Sequence, residues 1–441
     1  GTRSETGEPG PRYWQQWATY RLGARLDPDA KRLEGRGTIV YHNRSPDTLR
    51  VVFLQLIQNV HAPGAPRLEH AEVTGGMEIR RVAAAGVELS AAADSGPRYA
   101  VDDTRMAIVL PRPLPPRDSL ALDLAWAFTV PQQGASARMG WNADNLFFVA
   151  YWYPQMAVYD DVVGWQIDPF LNNSEFYAGF GTYEVTVEAP AGWLVRATGE
   201  LQNAEEVLAP DVLARFRAAA RSDTVVRVLD AARAATATRT PADGWLVWRF
   251  RADTVRDVAF SLTRASNWDV TRTPVGDRDG DGRTDYARIE SLWRPSAPRW
   301  AHVARYAQHA IDFHSRFTGL PYPWPHMTAV EGGGIISGGM EFPMMTLMGD
   351  YNERGDSALY YVTAHELAHM WVPMQVSNDE RRRAWMDEGT TSFNENQARK
   401  EFFPGRNHDL EDQESYLRVA RAERERSEER RVGKECEVPC R

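Results

Sequence analysis

The sequence runs to 441 residues, 43% of them hydrophobic, 25% charged and 11% aromatic, with a net charge of -9. That length exceeds one ordinary core and predicts two or three domains. The acidic balance excludes nucleic acid as a partner, because phosphate binding needs clustered positive charge and none precedes the C-terminal tail; no apolar run is long enough for a transmembrane segment.

Residues 1–12 lack the apolar stretch of a signal peptide and read as a flexible leader. From Tyr13 to Trp293 the pattern is that of strands. "YRLGARLDPDAKRLEGRGTIVYHNRS" alternates about a DPDA turn, and runs such as "LRVVFLQLIQNV", "LALDLAWAFTV" and "YEVTVEAPAGWLVRATG" follow between Gly, Pro and Asp punctuation. Short, evenly spaced strands predict an N-terminal β domain over 13–293, a sandwich or a curved sheet. One helix is expected where Pro210 opens "PDVLARFRAAA".

Within this region "GDRDGDGRTDY" spaces Asp277, Asp279, Asp281 and Asp285 as hard-cation ligands, with Gly282 permitting the tight turn. Arg288 stands where an EF-hand would have glutamate, so the loop is either an open calcium site or a solvated hairpin turn. Calcium at extracellular levels would suit such a site, and an exported, periplasmic or extracellular protein is expected.

After "RPSAP" the period changes. "RWAHVARYAQHAIDFHSRFTGLPYPWP" reads as an amphipathic helix stopped at Gly319, and the domain boundary is placed at 294. Farther on, "ALYYVTAHELAHMW" sets His365 and His369 four apart on a helix whose Leu359, Val362, Leu367 and Met370 can face a core. Residues at that spacing are neighbours, so both imidazoles can meet one ion. Glu366 lies between them, placed to act as a general base without being a ligand. Catalytic zinc keeps three protein ligands and an open position. Glu388, in the helix-like "RAWMDEGTTSFNENQ", supplies the third.

"HELAHMW" followed by "WMDEG" and preceded by "SGGMEFP" (337–343) resembles the gluzincin aminopeptidases of the aminopeptidase N and leukotriene hydrolase family. "LDPDAKRLEGRGTIVYHNRSPDTL" and "FYAGFGTYEVTVEAPAGWLVRATGEL" resemble the family's saddle-shaped β domain. The resemblance implies an α+β protein in which that domain precedes a thermolysin-like zincin catalytic domain, at 294–425. It implies one zinc ion on His365, His369 and Glu388, with Glu366 as base. Glu341 matches the carboxylate that holds a substrate's free α-amino group, and Gly338, Gly339 and Met340 belong to the same peptide-binding stretch. The expected partners are therefore peptide substrates with a free N-terminus, and the expected activity is that of an aminopeptidase. A gluzincin endopeptidase and a catalytically silent peptide-binding zincin are the alternatives.

Two departures qualify the resemblance. Phe342 and Pro343 follow Glu341 where the common form has Asn. The family's oxyanion-binding tyrosine falls beyond residue 441, and Tyr416, the one tyrosine after the zinc motif, lacks its spacing. The catalytic domain is accordingly expected to be incomplete, able to bind zinc and weakly active or inactive. Met340, Phe342, Tyr153 and Gln155 are expected near the S1 pocket. "RSEERRVGKEC", from Arg426, resembles a translated sequencing adapter, so 426–441 is expected to be a non-native tail holding the only cysteines, Cys436 and Cys440. The other account of that stretch is a charged, solvated helix.

Overall fold

A computed structural model of the chain describes residues 1–406, 408–410, 413–414, 416–422 and 424. The expected tail, 426–441, lies outside the described residues. The DPDA hairpin forms as read: Trp17–Asp27 pairs antiparallel with Arg32–His42. Asp27 accepts the N–H groups of Asp29 and Ala30, so a short acidic side chain closes the turn. Tyr20, Leu22, Ala24 and Leu26 are buried on one face of the first strand, the period of two expected of a sheet with one face in the core.

This hairpin lies inside an eight-stranded sheet, flanked by Gly181–Pro190 on one side and Ser119–Thr129 on the other. Gly35 is required there, since a Cβ at that position would stand 2.2 Å from the Trp126 ring. Sheets of five, four and two strands accompany it in the N-terminal β region. The helix expected at Pro210 spans Pro210–Ala219. Within the expected leader, Arg3 donates to both oxygens of Asp161 at 2.9 Å.

A six-stranded sheet carries the candidate site, in the order Val226–Leu229, Asn267–Gly276, Asp285–Trp293, His326–Glu331, Met345–Met348 and Gly339–Phe342. Strands on both sides of residue 293 share it. Asp285–Trp293 pairs in parallel with His326–Glu331, and the helix Val303–Thr318 is the crossover between them, as parallel pairing requires. The change of period at 294 therefore marks a change of element within one β-α-β unit, and the sheet draws half its strands from before that point. The helix ends at Gly319 with φ 71, the left-handed stop that glycine adopts without steric cost.

Val303–Thr318, Asp356–Ala368 and Thr390–Phe402 pack together beside this sheet. Tyr360 bolts the three: its hydroxyl lies 2.9 Å from His309 Nδ1 and donates to the Ala398 carbonyl at 3.1 Å, and its ring stacks on Phe402. Among the described residues, no helix is long and apolar enough to cross a membrane.

Candidate active site

Leu359, Leu367 and Met370 are buried, which turns the opposite side of helix Asp356–Ala368 toward the cleft. The backbone of this helix is held from behind, where buried His314 meets the Ala364 carbonyl at 3.1 Å. His365 leaves the cleft side, and His369 stands one turn on, at the helix end. Glu388 arrives from a different element. The segment expected as one helix is a short helix Glu380–Ala384, a π-helical turn Trp385–Gly389 and then helix Thr390–Phe402. The wide π turn, a device common at functional sites, brings consecutive residues Asp387 and Glu388 to the histidines.

Glu388 Oε2 lies 3.1 Å from His365 Nε2 and 3.9 Å from His369 Nε2. Two imidazoles and one carboxylate with donor atoms within 4.8 Å of one another are a donor set that fits a zinc ion. The far side of each imidazole is also engaged. His365 Nδ1 is 3.1 Å from Glu395 Oε2. His369 Nδ1 is ringed by Asp387 Oδ1 at 2.9 Å, Thr391 Oγ1 at 3.1 Å and the Val372 carbonyl at 3.2 Å. Such partners fix the ring and its tautomer and raise its basicity as a ligand.

Glu366 is buried, and its Oε2 has no hydrogen-bond partner among the described residues. Burial pushes its carboxyl up to about 8, and nearby Glu341 adds to the effect. Its neighbour across the cleft is Gly339, where a Cβ would stand 2.2 Å from the Glu366 carboxylate. Gly339 is thus the gap that accepts the base, whereas Gly338 faces open space.

The strand Gly339–Phe342 is the sheet edge, hydrogen-bonded on one side to Met345–Met348. By strand alternation Gly339 and Glu341 share the face toward the zinc helix, and Met340 and Phe342 share the other. Glu341 is buried, with one oxygen within 4.8 Å of donor atoms of His369 and Asp387. Burial, then the charges of Glu175, Asp387 and Glu388, holds its carboxyl well above the usual range. Met340 is a core residue and not a wall of the cleft. Phe342 packs against Phe148 and Tyr151, with ring centroids at 5.3 and 5.5 Å. Tyr153 and Gln155 are structural too: Tyr153 donates to Asp257 at 2.7 Å, and Gln155 donates to the Arg256 carbonyl at 2.9 Å.

The Asp-rich loop gathers three carboxylates and leaves the fourth apart. Asp277, Asp279 and Asp285 lie within 4.8 Å of one another, while Asp281 turns to the Arg283 N–H. Asp277 already accepts the N–H groups of Gly280 and Gly282. The loop has the hydrogen bonds of an exposed turn, and nothing in it supports calcium over that.

Residues 303–437 match the family described as Peptidase family M1 domain. The matched region holds His365, Glu366, His369 and Glu388. Leukotriene A-4 hydrolase of Xenopus laevis is 29% identical over 112 residues, which is 25% of this chain but 18% of that protein. An M1 zinc metallopeptidase from Deinococcus radiodurans is 16% identical, with a TM-score of 0.53 over 92% of this chain and 74% of that one. A mutant of that enzyme bound to a Tyr-Ser-Ala substrate gives the same TM-score of 0.53. At such identity the likeness concerns the fold alone, and it takes in the N-terminal β region as well as the matched residues.

Several residues around the site have no role in the sequence reading. Asp387 and Glu395 brace the histidines, and their helical segment hinted at them only by adjacency to Glu388. Glu175 and Arg138 come from the N-terminal region and form an ion pair near Glu341; Arg138 also donates to the Ser174 carbonyl. One Glu175 oxygen, Oε2, is buried with no hydrogen-bond partner among the described residues. Buried Arg256 ties the two regions below the metal ligands: it donates to the Phe176 and Pro373 carbonyls and pairs with Glu380. Arg294 grips Glu331 through two hydrogen bonds, at 2.6 and 2.8 Å, and the Gly333 carbonyl at 2.7 Å, which sets the glycine-rich turn leading to the edge strand. No local pattern marks these three arginine–glutamate pairs, because their meaning lies in long-range pairing.

Proposed function

We propose that the chain is a zinc-dependent aminopeptidase, removing the first residue of peptides that carry a free α-amino group. The observation that carries this is a buried carboxylate, Glu341, on a sheet edge beside the His365, His369 and Glu388 donor set. A zinc ion in that donor set supplies Lewis acidity, polarising a carbonyl and making hydroxide available at neutral pH. Glu366 takes the proton of the attacking water and hands it to the leaving nitrogen. Its confinement against Gly339 fixes its carboxylate in the cleft. Glu341 pairs with the substrate ammonium, and the short span from there to Glu366 leaves only the first peptide bond within reach. Glu175 adds negative charge on the same side, offset by Arg138.

The edge strand supports a peptide lying alongside it, since one row of its backbone groups is unpaired by the sheet. The test compares an aminoacyl amide with its N-acetyl form. The free amine is expected to be hydrolysed and the acetylated one refused; equal turnover of the two would remove the role of Glu341. Glu366→Gln is expected to slow hydrolysis by at least about 100-fold while keeping zinc, and a fully active variant would remove the proposed base.

A further inference from the structure

A second cavity, of about 200 Å³, lies between the first strand, the residues preceding it, and the segments 156–161 and 177–180. None of the metal-site residues lines it. Its walls are aromatic to an unusual degree, with Trp14, Trp17, Tyr20, Tyr41, Tyr159 and Tyr177 all contributing. Trp14 and Tyr159 stack at 5.5 Å between centroids, making one continuous wall. Aromatic faces carry negative potential and attract cations.

Two further observations point to a ligand. Tyr41 is 2% exposed, yet its hydroxyl has no hydrogen-bond partner among the described residues. A buried hydroxyl left unpaired is unfavourable, and a ligand N–H directed at its oxygen would relieve that. The second is charge. Asp161 is neutralised by Arg3, but Asp160, also in the lining, takes its hydrogen bonds from neutral donors: the Val162 and Val163 N–H groups and the Gln166 amide. It has no ion-pair partner among the described residues. The lining therefore holds two carboxylates and one guanidinium, a net negative charge, with Arg382 as a further cation acting on Asp160 from outside it. Arg3 shows the affinity of this wall for cations, its guanidinium standing 5.1 Å from the centre of the Tyr13 ring.

We propose that this cavity is a binding site for a small organic cation bearing N–H groups, of the ammonium or guanidinium class. The cation lies against the aromatic walls, donates to the Tyr41 oxygen and balances Asp160. The site is separate from the metal cleft, so its occupancy does not depend on zinc.

The probes are n-butylammonium and its neutral isostere butan-1-ol, titrated into the full chain by calorimetry or ligand-detected NMR, with and without a chelator. The cation is expected to bind about tenfold more tightly than the alcohol, and equally well after chelation. Asp160→Asn is expected to weaken the cation several-fold and leave the alcohol unchanged, while Tyr41→Phe weakens the cation with the fold intact by circular dichroism. Equal affinity for the two probes, absence of saturable binding, or cation binding that both variants leave unaltered would overturn the proposal. Loss of binding on chelation would also overturn it, by moving the site to the metal cleft. Failure here leaves the peptidase proposal standing, because that is read from amide hydrolysis alone.

Discussion

The metal side and the amine side of the cleft are assembled by different routes. On the metal side, His365, Glu366 and His369 sit within a single helical turn, and Glu388 follows after one connection. On the amine side, Glu341 comes from a sheet edge, Arg138 and Glu175 from the N-terminal region, and their proximity depends on the whole interface between the regions. A helix sets the spacing of its own side chains by its pitch, so the first arrangement tolerates distant change. The second has no such internal ruler and depends on buried connections such as Arg256 with Glu380.

That contrast can be broken most sharply at the ligands. His369→Ala is expected to leave the protein without stoichiometric zinc by metal analysis while the N-terminal sheets stay folded. Next, Glu366→Gln should cut the rate by roughly 100- to 10,000-fold at unchanged zinc content, the range for a lost general base. Asp387→Asn and Glu395→Gln test the imidazole supports, and each is expected to weaken zinc about 10- to 100-fold in a competition titration. If neither changes zinc affinity, the supports are ornamental and the histidines are set by the helix alone. On the amine side, Glu341→Gln should raise KM for a free-amine substrate by about tenfold or more, as loss of a buried charge pair would, with zinc binding unchanged.

A separate effect concerns stability. Burial lowers His314 and His326 to about 4, so both are neutral in the fold and ordinary in the unfolded chain. Their contribution is present above about pH 6.5 and is lost as the pH falls toward 4, on the order of 3 kcal/mol each. Urea unfolding at pH 7 and pH 5 should show this loss, and His326→Gln should make it shallower. His326 meets the Gly199 carbonyl at 2.8 Å, so its loss reports on the inter-region contact, whereas His314 reports on the zinc helix.

What was legible in the sequence follows the same division. Period and punctuation carry the hairpin at 17–42, the helix to Thr318 with its glycine stop, and the grouping of His365 and His369 with Glu388 beside Glu366. These are local features, determined by pitch, alternation and backbone freedom. The sheet that spans residue 293 was hidden because a parallel partner is reached only after a crossover helix, beyond any local window. The π turn at Trp385–Gly389 was read as ordinary helix, since its composition carries no mark of the wider winding. Met340 was assigned to the cleft as part of a motif, although alternation along the edge strand already placed it opposite Glu341.

Gly339 has one more implication. The space above it and the carboxylate of Glu366 are complementary shapes, so the two positions form a lock in which contour and reactivity are normally inseparable. A methyl group at 339 would evict the base, and shortening residue 366 would leave a hollow that the methyl group could occupy. Gly339→Ala combined with Glu366→Ala is therefore expected to melt at a higher temperature than Gly339→Ala alone, while neither hydrolyses substrate. The pair would separate what the cleft needs to hold its form from what it needs to react.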